Sequence, residues 1–255
     1  KLDTIVNSAS LLRDKNVKIF FEEKKDWYFL PSANITYSPL KDLNLRASYA
    51  KSAVRPGLME NSRFSRYNPN YGSVVRSNGV SSTLIDNYDA KIELFPGAGE
   101  LLSVAYFYKY FDKPAEYYRI DNENNGTGYI TISNSDWAKV RGWEFELRKS
   151  LGFVYDGLPF LKDIYVSGNL TLQKSEVRAR EVQYETTPAG VDTMYYKYLK
   201  YPRALYGQVP LLYNAGLQYA GKKLGLNISL NHSGYKTFIT GIEPSYVEYE
   251  RPRTQ

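Results

Sequence analysis

The chain has 255 residues, no cysteine, one histidine and 25 tyrosines, which excludes a disulfide framework, a thiolate metal site and a site built from several histidines. Its net charge of +6 arises from 33 Lys and Arg scattered among 27 Asp and Glu, a pattern of solvated surface and not the clustered basic face that nucleic acid needs. No run of about 18 apolar residues exists, so no transmembrane helix is expected, although a membrane β-barrel stays open because its lumen-facing residues dilute the hydropathy.

Residues 1 to 26 are mixed and charged and read as a loop with a strand at 17 to 21. The opening Lys1-Leu2-Asp3 shows no secretory leader pattern and reads as the interior of something longer. Alternation begins at Trp27. Ala33, Ile35 and Tyr37 share a face, residues 38 to 42 make a short turn, and Leu43, Leu45, Ala47 and Tyr49 form the apolar face of a strand over 43 to 54. Pro56 and Gly57 stop it, and residues 55 to 82 read as a long polar loop.

Residues 84 to 111 carry the clearest signal. Tyr88, Ala90, Ile92 and Leu94 alternate with Asn87, Asp89, Lys91 and Glu93; a Pro-Gly turn follows Phe95; then Leu102, Val104, Tyr106, Tyr108 and Tyr110 alternate again. A period of two puts each set on one face of a strand. Residues 112 to 138 form a second long connection, with residues 122 to 126 at its tip and a short strand at 129 to 132. Strands are expected over 139 to 150, 164 to 174, 206 to 220 and 224 to 232, and another starts near Val247. Between them lie a moderate connection (150 to 163), a third long one (179 to 205), a tight turn (221 to 223) and a fourth loop.

Two regularities favour a membrane wall. Connections alternate short and long through the chain, the habit of outer-membrane barrels. The second faces of strand after strand are Asn, Ser, Thr, Gln, Glu, Lys and Arg, and several strands exceed the usual soluble length of about 5–6 residues. Phe95, Tyr37, Tyr219 and Phe153 fall near the short-turn ends, and Trp27, Tyr28, Tyr110 and Tyr206 near the long ends, as two aromatic girdles would. A soluble solenoid or propeller shares the alternation, but no fixed-period repeat is present.

Several stretches carry a family resemblance: Leu30-Pro-Ser-Ala-Asn-Ile-Thr-Tyr37; Leu45-Arg-Ala-Ser-Tyr49 running into Val54-Arg-Pro56; Asn87-Tyr-Asp89 with Glu93; Phe107-Tyr-Lys109 with Lys113-Pro114; Arg141-Gly-Trp-Glu-Phe-Glu-Leu-Arg148; and Gly168-Asn-Leu-Thr171. Together they resemble the β-barrel of TonB-dependent outer-membrane receptors, of the type common in Bacteroidetes. One departure is Ser77-Asn78-Gly79-Val80, where such receptors usually show a Gly-Asn-Pro type segment. The resemblance implies an all-β, antiparallel barrel of about 22 strands with a plugged lumen. Residues 1–255 would be a partial barrel domain supplying eight to nine of those strands, without the plug or the closing strands. It also implies a place in the bacterial outer membrane, with short periplasmic turns and long outer loops. The implied partners are the TonB energy complex acting through the plug, the lipid bilayer and a small nutrient ligand. A surface lipoprotein partner is left open; nucleic acid, cofactors and metals are not implied.

Asn231-His232-Ser233 invites comparison with outer-membrane phospholipases, but adjacent strand residues point to opposite faces. Glu144 with Glu146, and Asp89 with Glu93, share strand faces and could serve acid–base chemistry; Arg148 and Lys91 lie beside them, which suggests lumen ion pairs. No catalytic residue is assigned. The expected ligand-binding residues are Arg63, Arg66, Tyr67 and Tyr71 in the first long loop, Trp137 at the end of the second, and Tyr195, Tyr196 and Tyr198 in the third, because loop aromatics and arginines suit sugars, peptides or chelates. Arg76 lies in the same first loop. The expected function is part of an active transporter importing a scarce nutrient: siderophore, glycan, peptide or cobalamin. The alternative is a passive porin or a non-transport barrel, an adhesin or membrane-anchored enzyme.

Overall fold

Alternating segments pair with their neighbours, and the computed structural model describes them over residues 27–121, 128–155, 157–186, 192–198, 202–241 and 247–255. For Asn78, Asp121, 180–186 and 192–198 the description is of the backbone. The expected strand at 17 to 21 and the loop tip at 122 to 126 lie outside the described residues.

The strands in chain order begin with β1 (Ser32–Leu40), β2 (Leu43–Val54), β3 (Arg63–Asn68), β4 (Ser73–Asn78), β5 (Thr83–Leu94) and β6 (Leu101–Asp112). Next come β7 (Ala115–Asp121), β8 (Gly128–Asn134), β9 (Trp137–Ser150), β10 (Ile164–Arg178), β11 (Arg180–Thr186) and β12 (Asp192–Tyr198). The last are β13 (Leu211–Ala220), β14 (Gly225–Ser233), β15 (Lys236–Gly241), β16 (Val247–Glu250) and β17 (Arg253–Thr254). Two 3-10 turns, Leu151–Phe153 and Pro159–Asp163, fill the connection between β9 and β10.

Nine strands form one antiparallel sheet in the order β1-β2-β5-β6-β9-β10-β13-β14-β17. Its ladder keeps the two faces apart. Tyr37, Leu45, Ile92, Val104, Phe145, Leu170, Tyr213 and His232 lie opposite one another across eight strands. Asn44, Glu93, Ser103, Glu146, Asn169, Asn214 and Asn231 form an equivalent row on the other face. The apolar face is not a core: Ile35 and Ile228 are each 70% exposed and Trp143 49%. A contiguous apolar face of this size is an aggregation hazard in water; in a bilayer it is the outer surface of a barrel wall, with the polar row facing the lumen.

The buried core lies elsewhere. A six-stranded sheet, in the order β16-β15-β7-β8-β4-β3, is built from the long connections. Val75, Val80, Ile130, Ile132 and Ile239 make its core, with Phe64, Tyr71, Tyr117 and Phe238 packed against them. Here the sequence expectations need correction. Residues 55 to 82 are not an extended polar loop: they contain the β3–β4 hairpin, turned by Asn70 and Tyr71 with Gly72 at φ 57. The connection at 112 to 138 holds the β7–β8 hairpin, longer than the short strand expected. Residues 179 to 205 hold a separate two-stranded hairpin, β11–β12. The strand at Val247 joins the second sheet, and the wall's ninth strand is Arg253–Thr254 instead. Residues 206 to 210 are not strand, whereas β10 runs four residues beyond its expected end at 174, to Arg178. The hairpins of the second sheet join one another through parallel contacts between segments distant in sequence, such as Val75 with Ile130, so local alternation is a poor guide to that sheet.

Candidate functional site

All the long connections leave the same end of the wall, and the second sheet covers that end. Its attachment is ionic and buried. Glu116, second residue of β7, has its side chain fully buried, and the Arg203 side chain is 1% exposed. Arg203 donates from Nη1 to Glu116 Oε1 at 3.0 Å and from Nη2 to Oε2 at 3.2 Å. The Tyr206 amide donates to Oε1 at 3.0 Å, and Ser135 Oγ donates to Oε2. A carboxylate with this many donors tolerates burial, because each lone pair is met. The main chain of Arg203 pairs with Val177 of β10. One residue therefore ties the second sheet to the wall.

An aromatic ladder adjoins this junction. The Tyr71 ring stacks on Tyr117 (5.8 Å) and on Phe238 (5.4 Å), and Tyr117 stacks on Tyr206 (5.2 Å). The Tyr71 and Tyr206 hydroxyls are 3.1 Å apart. Burial pushes the Tyr206 phenol well above the usual tyrosine range, with the hydroxyl of Tyr71 adding to the effect. Tyr117 is raised too, by burial first and then by the Glu60 carboxylate beside it. Tyr206, expected among the girdle aromatics, is part of this stack instead.

A cleft of about 330 Å³ opens on the core side of β3. Phe64 and Arg66 line it from β3, Tyr117 from β7 and Ile132 from β8; Met59 and Glu60 close it from the segment before β3. Glu60 is fixed there, accepting from the Gly57 amide at 2.9 Å and from the Tyr117 hydroxyl at 3.5 Å. Apolar walls with one cation, one carboxylate and a phenol suit a small amphipathic ligand.

The expected ligand residues separate. Arg66 lines the cleft. Arg63 and Tyr67 alternate with it on β3 and so project from the opposite face, where Tyr67 is 64% exposed. Tyr71 stacks on Tyr117 and Phe238 in the aromatic ladder. Arg76 caps the Tyr129 ring at 4.1 Å. Trp137 opens β9, opposite Asp112 and Arg178, with the Lys139 ammonium 4.6 Å from its ring. Tyr195, Tyr196 and Tyr198 lie on β12, opposite Gln183, Val182 and Arg180. Sequence reasoning missed Glu60, Phe64, Tyr117 and the Glu116–Arg203 pair. The alternation of Ile130 and Ile132 was the available clue to a buried strand there.

On the lumen face one carboxylate of each expected pair, Glu93 and Glu146, is in an ion pair, whereas Asp89 accepts from the Ser48 hydroxyl at 3.4 Å and Arg148 donates to Gln218 at 3.2 Å. Arg46 Nε lies 2.7 Å from Glu93 Oε2, and Lys91 Nζ lies 3.1 Å from Glu93 and 3.5 Å from Glu146. His232 stacks on Tyr213 at 4.6 Å and meets the Thr254 hydroxyl at 2.8 Å through Nδ1. No group of three metal-ligating side chains occurs among the described residues.

Comparison with known proteins agrees with this architecture. The family model described as TonB dependent receptor-like, beta-barrel matches residues 9–249. Among solved structures, the chain is similar to the ferric enterobactin receptor PfeA of Pseudomonas aeruginosa, with 17% identity over 88% of this chain and 31% of that one, at a TM-score of 0.52. It is also similar to the siderophore receptor PirA of Acinetobacter baumannii (15% identity, 88% and 33% covered, TM-score 0.51) and to the copper transporter OprC (10% identity, 88% and 29% covered, TM-score 0.53). At these identities the likeness is one of fold. The chain spans about a third of the length of these proteins. No curated protein matches it.

Proposed function

We propose, from the premise that this chain belongs to the TonB-dependent receptor-like β-barrel family, that it is the wall and outer sheet of an active transporter that captures a scarce nutrient. The barrel is a structure of the bacterial outer membrane. The observation that carries the proposal is the division of labour between the two sheets. The nine-stranded wall turns apolar residues outward and an ion-paired row inward, while the second sheet places a cleft with Arg66, Glu60 and Tyr117 at the outer end. A wall of this kind holds a pathway, and folded loops on a rigid scaffold carry recognition. Release of ligand inward would follow displacement of a plug by force from the TonB complex. The ligand class is siderophore, glycan, peptide or cobalamin, and the motifs around Arg141-Gly-Trp-Glu resemble the Bacteroidetes type, in which a surface lipoprotein partner is open.

Whole-cell binding and uptake of one representative of each class tests this, in cells with and without a working TonB complex. The expected result is binding in both and accumulation only in energised cells. Accumulation that ignores the energy complex and saturates with no ligand would establish the passive porin instead.

A further inference from the structure

On the lipid side of the wall one cross-strand pair breaks the apolar pattern. Arg141 of β9 and Lys174 of β10 stand directly opposite each other, on the same side as Trp143 and Leu172. Two cations facing across a ladder repel. A single carboxylate, Glu176, serves both, 3.3 Å from Arg141 and 3.9 Å from Lys174. The Arg141 side chain is 55% exposed and that of Lys174 72%. The pair therefore keeps an excess positive charge at an accessible place.

Its height in the wall is informative. Lys149 lies eight residues farther along β9 on the same side. At about 3.4 Å per residue this is roughly 27 Å along the strand, or roughly 20 Å of height at a tilt of about 40°. Leu147, Phe145 and Trp143 fill that interval, so the two cationic ends sit at the two headgroup levels. The ends differ: Lys149 is matched by Glu100 at 2.6 Å, whereas Arg141 and Lys174 share one carboxylate. Below them, Tyr106, Trp143, Leu172 and Pro210 complete a groove of about 350 Å³ with the two cations at its lip.

We propose that Arg141 and Lys174 bind the phosphate of a lipid in the outer leaflet, with an acyl chain lying against Trp143 and Leu172. Phosphate oxygens match the forked donors of arginine and the point charge of lysine. The groove beneath supplies the apolar half of an amphipathic ligand. This goes beyond transport and rests only on the wall's spanning the membrane.

The test uses the receptor carrying this chain, reconstituted in phosphatidylcholine vesicles doped with diphosphoryl lipid A or with its dephosphorylated form. Retained lipid is counted by mass spectrometry after detergent extraction. Arg141→Gln with Lys174→Gln should lower retention of the diphosphoryl lipid roughly tenfold, and Glu176→Gln should raise it a few-fold (roughly threefold), from removal or exposure of surface cations. The dephosphorylated lipid should be held equally by all forms. Unchanged diphosphoryl retention in a folded double variant overturns the proposal, as does an equal loss of the dephosphorylated lipid. If the double variant does not fold, Glu176→Gln decides, and no gain in retention overturns it. Nutrient uptake in the same preparations is a separate readout, so failure of transport and failure of lipid binding are told apart.

Discussion

Replacing Glu116 with Gln isolates the junction between the two sheets. The carboxylate accepts from Arg203 at 3.0 and 3.2 Å, from the Tyr206 amide at 3.0 Å and from Ser135. The amide keeps its size and one acceptor but leaves a guanidinium, 1% exposed, without a counter-charge. Breaking a buried pair costs about 3–5 kcal/mol, and the retained acceptor argues for the lower end. About 3 kcal/mol is roughly a hundredfold in an opening equilibrium. The loss should be local, because β7 and β8 belong to the second sheet and not to the wall ladder. Hydrogen exchange in the receptor should then show protection of the Tyr206 amide and of β7 and β8 falling by about that hundredfold, while β9 and β10 keep theirs. A paired Glu116→Leu, Arg203→Met change should recover much of the loss, since a matched apolar pair removes both charges. A change below tenfold, or a wall that loosens equally, would show that this pair is not what holds the sheets together.

Four further outcomes are expected. Ile228→Arg, on the lipid side, should destabilise the barrel by about 2–4 kcal/mol, and Ser229→Arg, in the lumen row, far less; a reversed order in the unfolding titration would mean the faces are misassigned. Arg66→Ala, or Ala at Tyr195, Tyr196 and Tyr198 together, should weaken ligand binding to whole cells at normal surface display; full affinity in both would move recognition off these connections. Gly142→Ala should cost about 1–3 kcal/mol by overpacking, because its Cβ would meet the Leu172 carbonyl oxygen at 2.5 Å and the Phe107 ring at 2.6 Å; an unshifted thermal transition would contradict the geometry. Tyr206 should give a late step in a phenolate absorbance titration, and that step should vanish in Tyr206→Phe. Its raised pKa means that the stack contributes fully below the ordinary tyrosine range and is lost as pH climbs through the folded value; early titration would show that it is not buried.

Period-two alternation alone marks the wall strands. The segment 43 to 54 matches β2, and residues 84 to 111 cover β5, its turn and β6, because in a two-faced strand each side chain reports its own environment locally. The short turns and the Lys91–Glu93 ion pair were legible for the same reason: their partners are close in sequence. The second sheet was not. Arg66, Tyr117 and Ile132 come within one cleft from three strands of two separate connections, and Glu116 meets Arg203 from 87 residues away.

Nothing local marks such partners, since short strands take their stability from whatever they pack against. The sequence by itself determined that there is a wall, and which side of each wall strand meets lipid. Only the tertiary structure decided that the long connections fold together, that Tyr71 and Tyr206 hold that fold, and that Arg141 and Lys174 share one carboxylate. Those facts depend on which distant segments come together, and alternation along a single strand carries no information about that.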